Sequence, residues 1–508
     1  MSAPRTSLAE AEDFLRGPRL ADALTDLARD APERVYLRER GREVTTADLA
    51  REVERTAEAL RAQGVTATSR VAIALPVSVE HVALIFAVLR IGALWIPLNP
   101  QLKGEPLAHQ MRDSGATHVV AAPLSPLGEE LSEGLLPLGS EAGSGDDARL
   151  FAVADAPVSA DEERREASLL MYTSGTTGPP KGALVTETML RAAVLGAIEV
   201  TAPEPGDVFY VWEPLFHIGG AQVVFLPLFR DVALALAPRF SASRFWRDVV
   251  DFDVTHIHYL GGVLQILLQL PPDEAERANR VRVAWGAGAT PEVRAACRER
   301  YRFALHECYG MTETSSIVTV NRDEVDGGVG EPLPWVDVAV SDAREVLVRG
   351  RVPGLLTPGY LGNPAATEKA REGDWFRTGD LGRLDDRGRL HFTGRGSDSI
   401  RVRGENVSAW QVESVFGLHP DVDRCAVVGV DAEVGEQEML LLLTAAEGRH
   451  PDPSEVLSWG AERLAPFQLP RYARIVEEMP LTPSQRIAKH RLPRDVDGAA
   501  ERPRPARR

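Results

Sequence analysis

The chain has 508 residues, of which 44% are hydrophobic and 26% are charged, and its formal net charge is −17 at pH 7. This composition excludes an intrinsically disordered protein, and the length predicts two or more domains. The excess negative charge repels phosphate backbones and anionic lipids, so small molecules are the expected partners, and nucleic acid and membrane surfaces are not.

The amino-terminal segment lacks the apolar core of a signal peptide, which predicts a protein that is not exported. The three cysteines, Cys297, Cys308 and Cys425, have no metal-ligand spacing, and their odd number does not indicate a disulfide framework. We therefore expect a reducing, cytoplasmic location. Nothing in the sequence predicts an oligomeric state.

Helical and β-branched segments alternate along the first part of the chain. "TADLAREVERTAEALRAQG" predicts a helix, "RVAIAL" and "THVVAA" predict strands, and "HVALIFAVLRIGALWIPL", which contains Arg90, predicts a buried helix feeding a strand and not a membrane span. This alternation predicts a mainly parallel sheet. The segment 123–165 has an irregular composition and is expected to form a surface excursion. Thr290 and Pro291 predict the start of a further helix.

The composition changes near residue 395, after a hairpin predicted in "GRLDDRGRLHFTGR". A capping box of Ser408 and Gln411 predicts a helix in the unit that follows, together with two strands and a second helix. The predicted organisation is an α/β protein with a large domain over 1–394, a small α+β domain over 395–495 and a disordered tail over 496–508.

The stretch "TSGTTGPPKG", residues 173–182, predicts a loop that binds polyphosphate. Glycines let backbone N–H groups converge on an anion, hydroxyls add donors, and Lys181 supplies positive charge. The stretch is not a Walker A loop, because Lys181 precedes Gly182 where that motif needs serine or threonine. "GAGATP" is not a dinucleotide fingerprint, since Pro291 stands near the place of a required glycine.

"MYTSGTTGPPKGALV" resembles the signature phosphate loop of the adenylate-forming superfamily, which includes acyl- and aryl-CoA synthetases, adenylation domains and luciferases. Further motifs follow in the order of that family: "PLFHIGG", "GAGAT", "YGMTE", "VGEP", "EVLVRG", "DWFRTGDLG", "TGRGSDSIRVRGENVSAWQVE" and "PLTPSQRIAK". "RGENVSAWQVE" is most similar to a bacterial acyl-CoA ligase branch. The resemblance implies a mobile small domain and two half-reactions, in which ATP activates a carboxylate as acyl-AMP and CoA then displaces AMP.

The resemblance also implies roles for individual residues. Thr312 would bond the α-phosphate and Glu313 would ligate Mg²⁺. Asp380 would bind the ribose hydroxyls, and Arg395 would donate to ribose or phosphate. Tyr309 would stack on the adenine beside the loop 286–289. The remaining nucleotide-binding residues implied by the resemblance are Thr173, Ser174, Gly175, Thr176, Thr177, Gly178 and Lys181 around the phosphates, together with Gly288, Ala289, Gly310 and Met311.

His217, in "PLFHIGG", matches the histidine that the family places between the acyl pocket and AMP. His256 and His258 lie two residues apart on a predicted strand and share one face, so either one lines the pocket or both are structural. The acyl pocket implied by the resemblance comprises Trp212, Ile218, Gln222, Tyr259, Gly261 and Gly288.

The sequence departs from the family near its carboxyl end. Arg486 stands where relatives have the lysine that stabilises charge during adenylation, and a guanidinium is bulkier than an ammonium and its donors are fixed in a fork. Lys489 is an alternative for the same role. At the expected hinge the chain has Ser397 and Asp398. Arg401 and Arg403 either meet CoA phosphates or form a solvated face.

Three functions follow from these patterns. The first is an ATP-dependent ligase that converts a small or medium acyl or aromatic acid into a CoA thioester. The second is a diazotase of secondary metabolism that uses ATP to activate nitrite for reaction with an aromatic amine, an alternative that Arg486 leaves open. The third is a non-catalytic protein that retains the ATP fold.

Overall fold

A computed structural model describes residues 6–102, 104–121, 136–137, 149–152, 167–173, 180–322, 328–395, 399–402, 405–431, 437–464, 468–481 and 487–502. Within these ranges the helices are α1 Leu8–Leu15, α2 Leu20–Asp30, α3 Thr46–Ala62, α4 Val79–Ile91, α5 Gly104–Ser114, α6 Glu187–Thr201, α7 Ile218–Val223, α8 Phe245–Asp251, α9 Gly261–Gln269, α10 Glu274–Ala278, α11 Pro291–Tyr301, α12 Pro364–Lys369, α13 Ala409–Phe416 and α14 Pro453–Ala461. Short 3₁₀ turns cover Leu226–Leu228, Thr312–Thr314 and Lys489–Arg491.

The strands in the first part of the chain are β1 Val35–Glu39, β2 Arg42–Thr45, β3 Arg70–Ala74, β4 Leu94–Pro97, β5 His118–Ala121, β6 Leu136–Pro137, β7 Arg149–Ala152, β8 Leu169–Thr173, β9 Lys181–Val185, β10 Asp207–Val211, β11 Val232–Leu236, β12 His256–Leu260, β13 Val283–Ala287, β14 Ala304–Tyr309, β15 Thr319–Asn321 and β16 Glu331–Pro332. Those that follow are β17 Val336–Val340, β18 Glu345–Gly350, β19 Arg371–Glu372, β20 Trp375–Leu384, β21 Leu390–Arg395, β22 Ser399–Val402, β23 Glu405–Ser408, β24 Val422–Asp431, β25 Gln437–Ala445, β26 Tyr472–Ile475 and β27 Ala500–Glu501.

The central sheet has nine strands in the order β16-β15-β14-β13-β12-β10-β11-β1-β2. Its strands from β14 to β1 are parallel, and antiparallel strands flank them on both sides. The carboxyl ends of β10, β12, β13 and β14 therefore meet at one edge, which is where parallel sheets bind ligands. This topology confirms the prediction of a mainly parallel α/β fold.

The second sheet has seven strands in the order β6-β7-β5-β3-β4-β8-β9, with β3, β4, β5 and β8 parallel. β8 and β9 form the antiparallel pair on either side of the glycine-rich loop, with Thr173 opposite Lys181. The largest core cluster contains side chains from both sheets and from α4 and α6, so the two sheets share a core.

Local signals in the sequence account for several helix ends. α4 begins after Ser78, whose side chain accepts a hydrogen bond from the His81 N–H, and ends at Gly92 with φ of +86°. Every residue from His81 to Leu89 is buried, as predicted for this apolar segment. α11 begins at Pro291, and the Thr290 side chain accepts a hydrogen bond from Val293 N–H, as also predicted.

An antiparallel third sheet, in the order β17-β18-β20-β19 with β21 paired to β20, follows the central sheet. The predicted hairpin is confirmed: Leu384 pairs with Leu390, and the Asp385 and Arg389 backbones close the loop with a 3.0 Å hydrogen bond. The segment 123–165, predicted to be a surface excursion, lies largely outside the described residues.

The carboxyl-terminal part contains the pair β22-β23, the sheet β24-β25-β26-β27 and helices α13 and α14. Of these elements, β24, β25 and the two helices were predicted from the sequence, and the other strands were not. The predicted tail overlaps this sheet, because β27 pairs with β26 and Glu501 forms a 2.6 Å ion pair with Arg471. These contacts hold the first part of that segment in place. The boundaries predicted at 394, 395 and 495 remain predictions.

Candidate active site

Glu313 lies in a buried 3₁₀ turn just after β14, where three elements meet. Its Oε1 accepts hydrogen bonds from Oγ1 of Thr173 at 3.2 Å and from the hydroxyl of Tyr360 at 2.9 Å. Its backbone oxygen accepts from the N–H of Thr357 at 2.8 Å. The carboxylate is thus fixed beside the last residue of β8, where the glycine-rich loop begins.

Lys181 lies at the other end of that loop. Its Nζ is 5.2 Å from the centroid of the Tyr360 ring, so the same tyrosine contacts both the cation and the carboxylate of Glu313. Both ends of the predicted phosphate loop therefore lie beside Glu313. The predicted phosphate-binding residues Ser174, Gly175, Thr176, Thr177 and Gly178 lie outside the described residues.

Thr312, the predicted α-phosphate donor, is 8% exposed and precedes Glu313. Its Oγ1 lies 3.7 Å from Sδ of Met171 in β8. A thioether sulfur is a weak acceptor, so a phosphate oxygen would be a better partner for this hydroxyl.

Tyr309, at the end of β14, donates a 2.9 Å hydrogen bond from its hydroxyl to Oδ2 of Asp380 in β20. Both side chains are buried, and the Tyr309 ring lies 5.9 Å from that of Phe392 in β21. The predicted adenine and ribose residues are therefore adjacent. Arg395 pairs with Asp380 through the backbone, and its side chain lies outside the described part of the chain.

The Gly286–Ala289 loop is held by a carboxylate beneath it. Oε1 of Glu307 accepts from the N–H of Gly288, and its Oε2 accepts from the Tyr259 hydroxyl at 2.6 Å. Arg294 lies 3.6 Å from the same carboxylate. Burial raises the pKa of Glu307, and Arg294, Tyr259 and the loop N–H groups oppose that rise. Tyr259 is therefore a buried support for the loop through Glu307, and its place in the pocket wall stays a prediction.

Two of the predicted pocket residues, Gly261 and Gly288, lie where two loops approach each other closely. A Cβ on Gly261, at the start of α9, would lie 1.9 Å from the backbone oxygen of Gly288, so only glycine fits there. Gly288 itself has φ of +88°, a conformation that favours glycine. Of the other predicted pocket residues, Ile218 is partly exposed, while Trp212 and Gln222 are 5% and 1% exposed.

His217 is the residue before α7, and its side chain is partly exposed. Its ring lies 4.6 Å from that of Phe216, and its N–H donates to the Pro214 oxygen at 3.1 Å. The tight turn holds His217 at the amino end of α7, at the edge of the central sheet that carries Glu313 and Tyr309.

The two histidines of β12 differ in environment. His256 is fully buried, and its ring stacks on that of Phe209 with 4.4 Å between the ring centroids. Its Nδ1 lies 2.9 Å from Oγ1 of Thr255. Burial lowers the pKa of His256 to about 4. His258 is partly exposed and its Nδ1 lies 2.6 Å from Oε2 of Glu213. His256 is therefore structural, whereas His258, in the middle of β12, contacts a carboxylate.

One of the two cations predicted to act in adenylation, Lys489, is ion-paired within the small domain. Nζ of Lys489 lies 2.8 Å from Oε1 of Glu413, which also accepts from the N–H of Val427 at 2.6 Å. Lys489 thus stabilises its own domain in this structure. Arg486 and Arg403 lie outside the described residues, as does the side chain of Arg401.

The donor set fits Mg²⁺ better than a transition metal. Among the described residues no group of three or more His, Cys, Asp or Glu side chains is placed to hold a metal ion. Mg²⁺ is usually bound through one or two carboxylates together with substrate phosphates, and Glu313 beside the phosphate loop offers such a carboxylate.

Three residues of the site were not predicted from the sequence: Tyr360, Glu307 and Glu213. Tyr360 reaches Glu313 because it bridges to Ala183 in β9, a tertiary contact that no local pattern signals. Glu307 immediately precedes "CYGMTE", and its position two residues before Tyr309 is the one signal that could have indicated it.

Comparison with known proteins decides the family. Residues 24–360 match the AMP-binding enzyme family, and residues 411–486 match the AMP-binding enzyme C-terminal domain. The chain belongs to the AMP-binding enzyme family. It is 30% identical to the 2-succinylbenzoate–CoA ligase of Geobacillus kaustophilus, over 91% of this chain and 95% of that protein. It is 31% identical to a feruloyl-CoA synthase of Amycolatopsis, over 91% and 96% of the two chains.

Solved structures agree with this AMP-binding enzyme assignment. The o-succinylbenzoate CoA synthetase of Bacillus subtilis with its acyl-adenylate intermediate superposes with a TM-score of 0.79 at 26% identity, over 96% of this chain and 99% of that one. The same enzyme with ATP and magnesium gives a TM-score of 0.76 at 26% identity, over 92% and 98%. The predicted superfamily and the predicted AMP-forming ligase class are confirmed. Along the described residues, no helix has both the length and the apolar character to cross a membrane.

Proposed function

We propose that this AMP-binding enzyme activates an aromatic carboxylic acid with ATP as the acyl-adenylate and transfers the acyl group to CoA, releasing AMP and pyrophosphate. The observation that carries the proposal is the contact of Glu313 with both Thr173 and Tyr360, which supports a metal-binding carboxylate beside the predicted phosphate loop. The names of the two relatives, a 2-succinylbenzoate ligase and a feruloyl-CoA synthase, support an aromatic acid.

In the first half-reaction the acid's carboxylate attacks the α-phosphorus of ATP and pyrophosphate leaves. Lys181 would offset charge on the leaving phosphates, and Thr312 would donate to the α-phosphate. A bound Mg²⁺, held by Glu313, would offset further phosphate charge. Because Tyr360 and Thr173 both donate to Oε1 of Glu313, the carboxylate keeps one orientation before ATP arrives.

In the nucleotide site, Asp380 would accept from the ribose hydroxyls and the Tyr309 ring would lie against the adenine. The 2.9 Å hydrogen bond between them fixes the ring relative to the ribose site. Glu307 would hold the Gly286–Ala289 loop beside the base through the Gly288 N–H. These groups position the α-phosphate for attack by a carboxylate that lies near His217.

In the second half-reaction the CoA thiolate attacks the acyl carbon and AMP leaves. Arg401 and Arg403 are candidates for contact with the CoA phosphates after the small domain turns about Ser397 and Asp398. The named relatives are CoA ligases, and their names describe no nitrite chemistry, so the diazotase alternative gains no support from them.

A pyrophosphate-release assay tests this proposal, with acid, CoA, nitrite and arylamine varied independently. The proposal expects AMP and pyrophosphate to depend on an aromatic acid, and a thioester to appear when CoA is added. Release that depends on nitrite and an arylamine, without any acid, would replace the proposal. Absence of any ATP cleavage would favour a non-catalytic ATP-binding protein.

A further inference from the structure

A buried acid and a histidine meet behind the first turn of α7. Glu213 follows β10, His258 lies in the neighbouring strand β12, and Oε2 of Glu213 is 2.6 Å from Nδ1 of His258. The side chains are only 9% and 12% exposed, respectively, and the contact lacks the direction of a hydrogen bond. Burying such a pair adds little net stability compared with apolar residues of similar volume, so stability alone does not explain this one.

The backbone of α7 admits the carboxylate closely. A Cβ on Gly219 would lie 2.5 Å from Oε2 of Glu213, so the glycine leaves space for this group. Gln222 lies three residues later on the same helix face and is 1% exposed. Its Nε2 donates to the Gly219 oxygen at 3.3 Å, whereas its Oε1 has no hydrogen-bond donor among the described residues.

A second buried polar atom without a hydrogen-bond partner among the described residues lies on the other side of His258. The ring of Trp285, in β13, is 4.4 Å from the His258 ring, and its side chain is 1% exposed. Its Nε1 has no hydrogen-bond acceptor among the residues the structure describes. Buried polar atoms are nearly always hydrogen-bonded. Oε1 of Gln222 therefore needs a donor, and Nε1 of Trp285 needs an acceptor, from outside the described protein atoms.

We infer that Glu213, His258 and Gln222 form a specificity site that binds a hydrogen-bond-donating substituent, a hydroxyl or amino group, on the acid. This inference rests on the proposed function. The site lies at the ligand-binding edge of the central sheet, and Gly219 is two residues after His217. An acid whose carboxylate lies near His217 would therefore extend along α7 towards the two acceptors, the Glu213 carboxylate and Oε1 of Gln222.

Matched acids test the inference in the full-length enzyme. ATP–pyrophosphate exchange gives kcat/KM for benzoates and cinnamates without a ring substituent and with one hydroxyl or one amino group at each ring position. The best substituted acid should exceed its unsubstituted parent on the order of 10²-fold, because the parent leaves buried polar groups unpaired. Comparing hydroxyl with amino substituents shows which donor the site prefers.

The ratio of kcat/KM for the best substituted acid to kcat/KM for its unsubstituted parent should fall below about 10 in the Glu213→Leu variant. Gln222→Leu should reduce this ratio by a smaller factor. Glu276→Leu is the matched control, because Glu276 is also buried and ion-paired, to Arg300 at 2.6 Å, but lies in α10. It should leave the ratio unchanged even where it lowers stability.

A ratio near one in the unaltered enzyme would overturn the inference without any variant. A ratio that survives both Glu213→Leu and Gln222→Leu would also overturn it. If no acid of any kind supports exchange, the proposed function fails, and that outcome is distinct from exchange that occurs without preference.

Discussion

The hydroxyl of Tyr309 donates a 2.9 Å hydrogen bond to Oδ2 of Asp380, across 71 positions of sequence. Tyr309 ends β14 of the central sheet, whereas Asp380 lies in β20 of the third sheet. One bond therefore ties the proposed adenine site to the proposed ribose site. Both residues are less than a tenth exposed, so water does not readily replace the bond.

Tyr309→Phe keeps the ring that would stack on adenine and removes this bond. We expect the KM for ATP to rise about 10-fold, since losing a buried donor costs about 1–3 kcal/mol. The KM for the acid should change little. Tyr210→Phe is the matched control, because the Tyr210 hydroxyl also donates to a buried carboxylate, Asp248 at 3.2 Å, and neither residue belongs to the proposed site. Equal effects of the two substitutions would contradict the proposed role of Tyr309.

Glu313→Gln should lower turnover by about 10²–10³-fold at fixed Mg²⁺, because it removes a charge that faces the metal and the phosphates. Tyr360→Phe should have a smaller effect of the same kind, since it removes only the bond that orients Glu313. Initial rates over a Mg²⁺ titration test both variants. If the Glu313→Gln variant shows the same Mg²⁺ dependence as the unaltered enzyme, that result would contradict metal binding by Glu313.

Local patterns explain what could be predicted from the sequence. The cap at Thr290, the buried helix α4 and the hairpin from β20 to β21 depend on residues close in the chain, and all are found. Motifs of the family likewise indicated Glu313, Tyr309 and Asp380 because each sits in a recognisable stretch.

Tertiary contacts explain what could not be predicted. Tyr360 lies 47 positions from the carboxylate that it orients. The strand period correctly predicted one face for His256 and His258, but only the fold shows that Phe209 covers the first and Glu213 contacts the second.

Glu307 gives a pH dependence of stability. Burial raises its folded-state pKa above the ordinary value of 4.5, so between these two values the folded chain holds more protons than the unfolded chain. The stabilising contribution is complete below the ordinary pKa and is lost as pH rises through the folded-state pKa.

The Glu307→Gln variant has an amide at this position, which does not titrate. The melting temperature of Glu307→Gln minus that of the unaltered protein should therefore increase from about pH 4 to about pH 8. Thermal melts in matched buffers measure the difference. Glu276→Gln serves as control, since Glu276 is buried but paired with Arg300 at 2.6 Å. A difference that stays constant with pH for Glu307→Gln would contradict the raised pKa.

The two candidate cations of the small domain should behave differently. Lys489→Ala breaks the 2.8 Å pair with Glu413, so it should lower the melting temperature by about 3 °C while adenylation stays within about twofold. Arg486→Ala should slow adenylate formation by about 10²–10³-fold and leave thioester formation from preformed adenylate nearly intact. Single-turnover assays of each half-reaction separate the two. Slow adenylation in Lys489→Ala with normal rates in Arg486→Ala would reverse the assignment.

Product analysis distinguishes AMP-forming synthesis of an aromatic acyl-CoA from the other reactions of ATP. The purified chain is incubated with ATP, Mg²⁺, CoA and a panel of aromatic acids, and nucleotides and thioesters are measured by mass spectrometry. AMP and an acid-dependent CoA thioester should form in equal amounts. ADP in place of AMP, or AMP without any thioester across the panel, would contradict it.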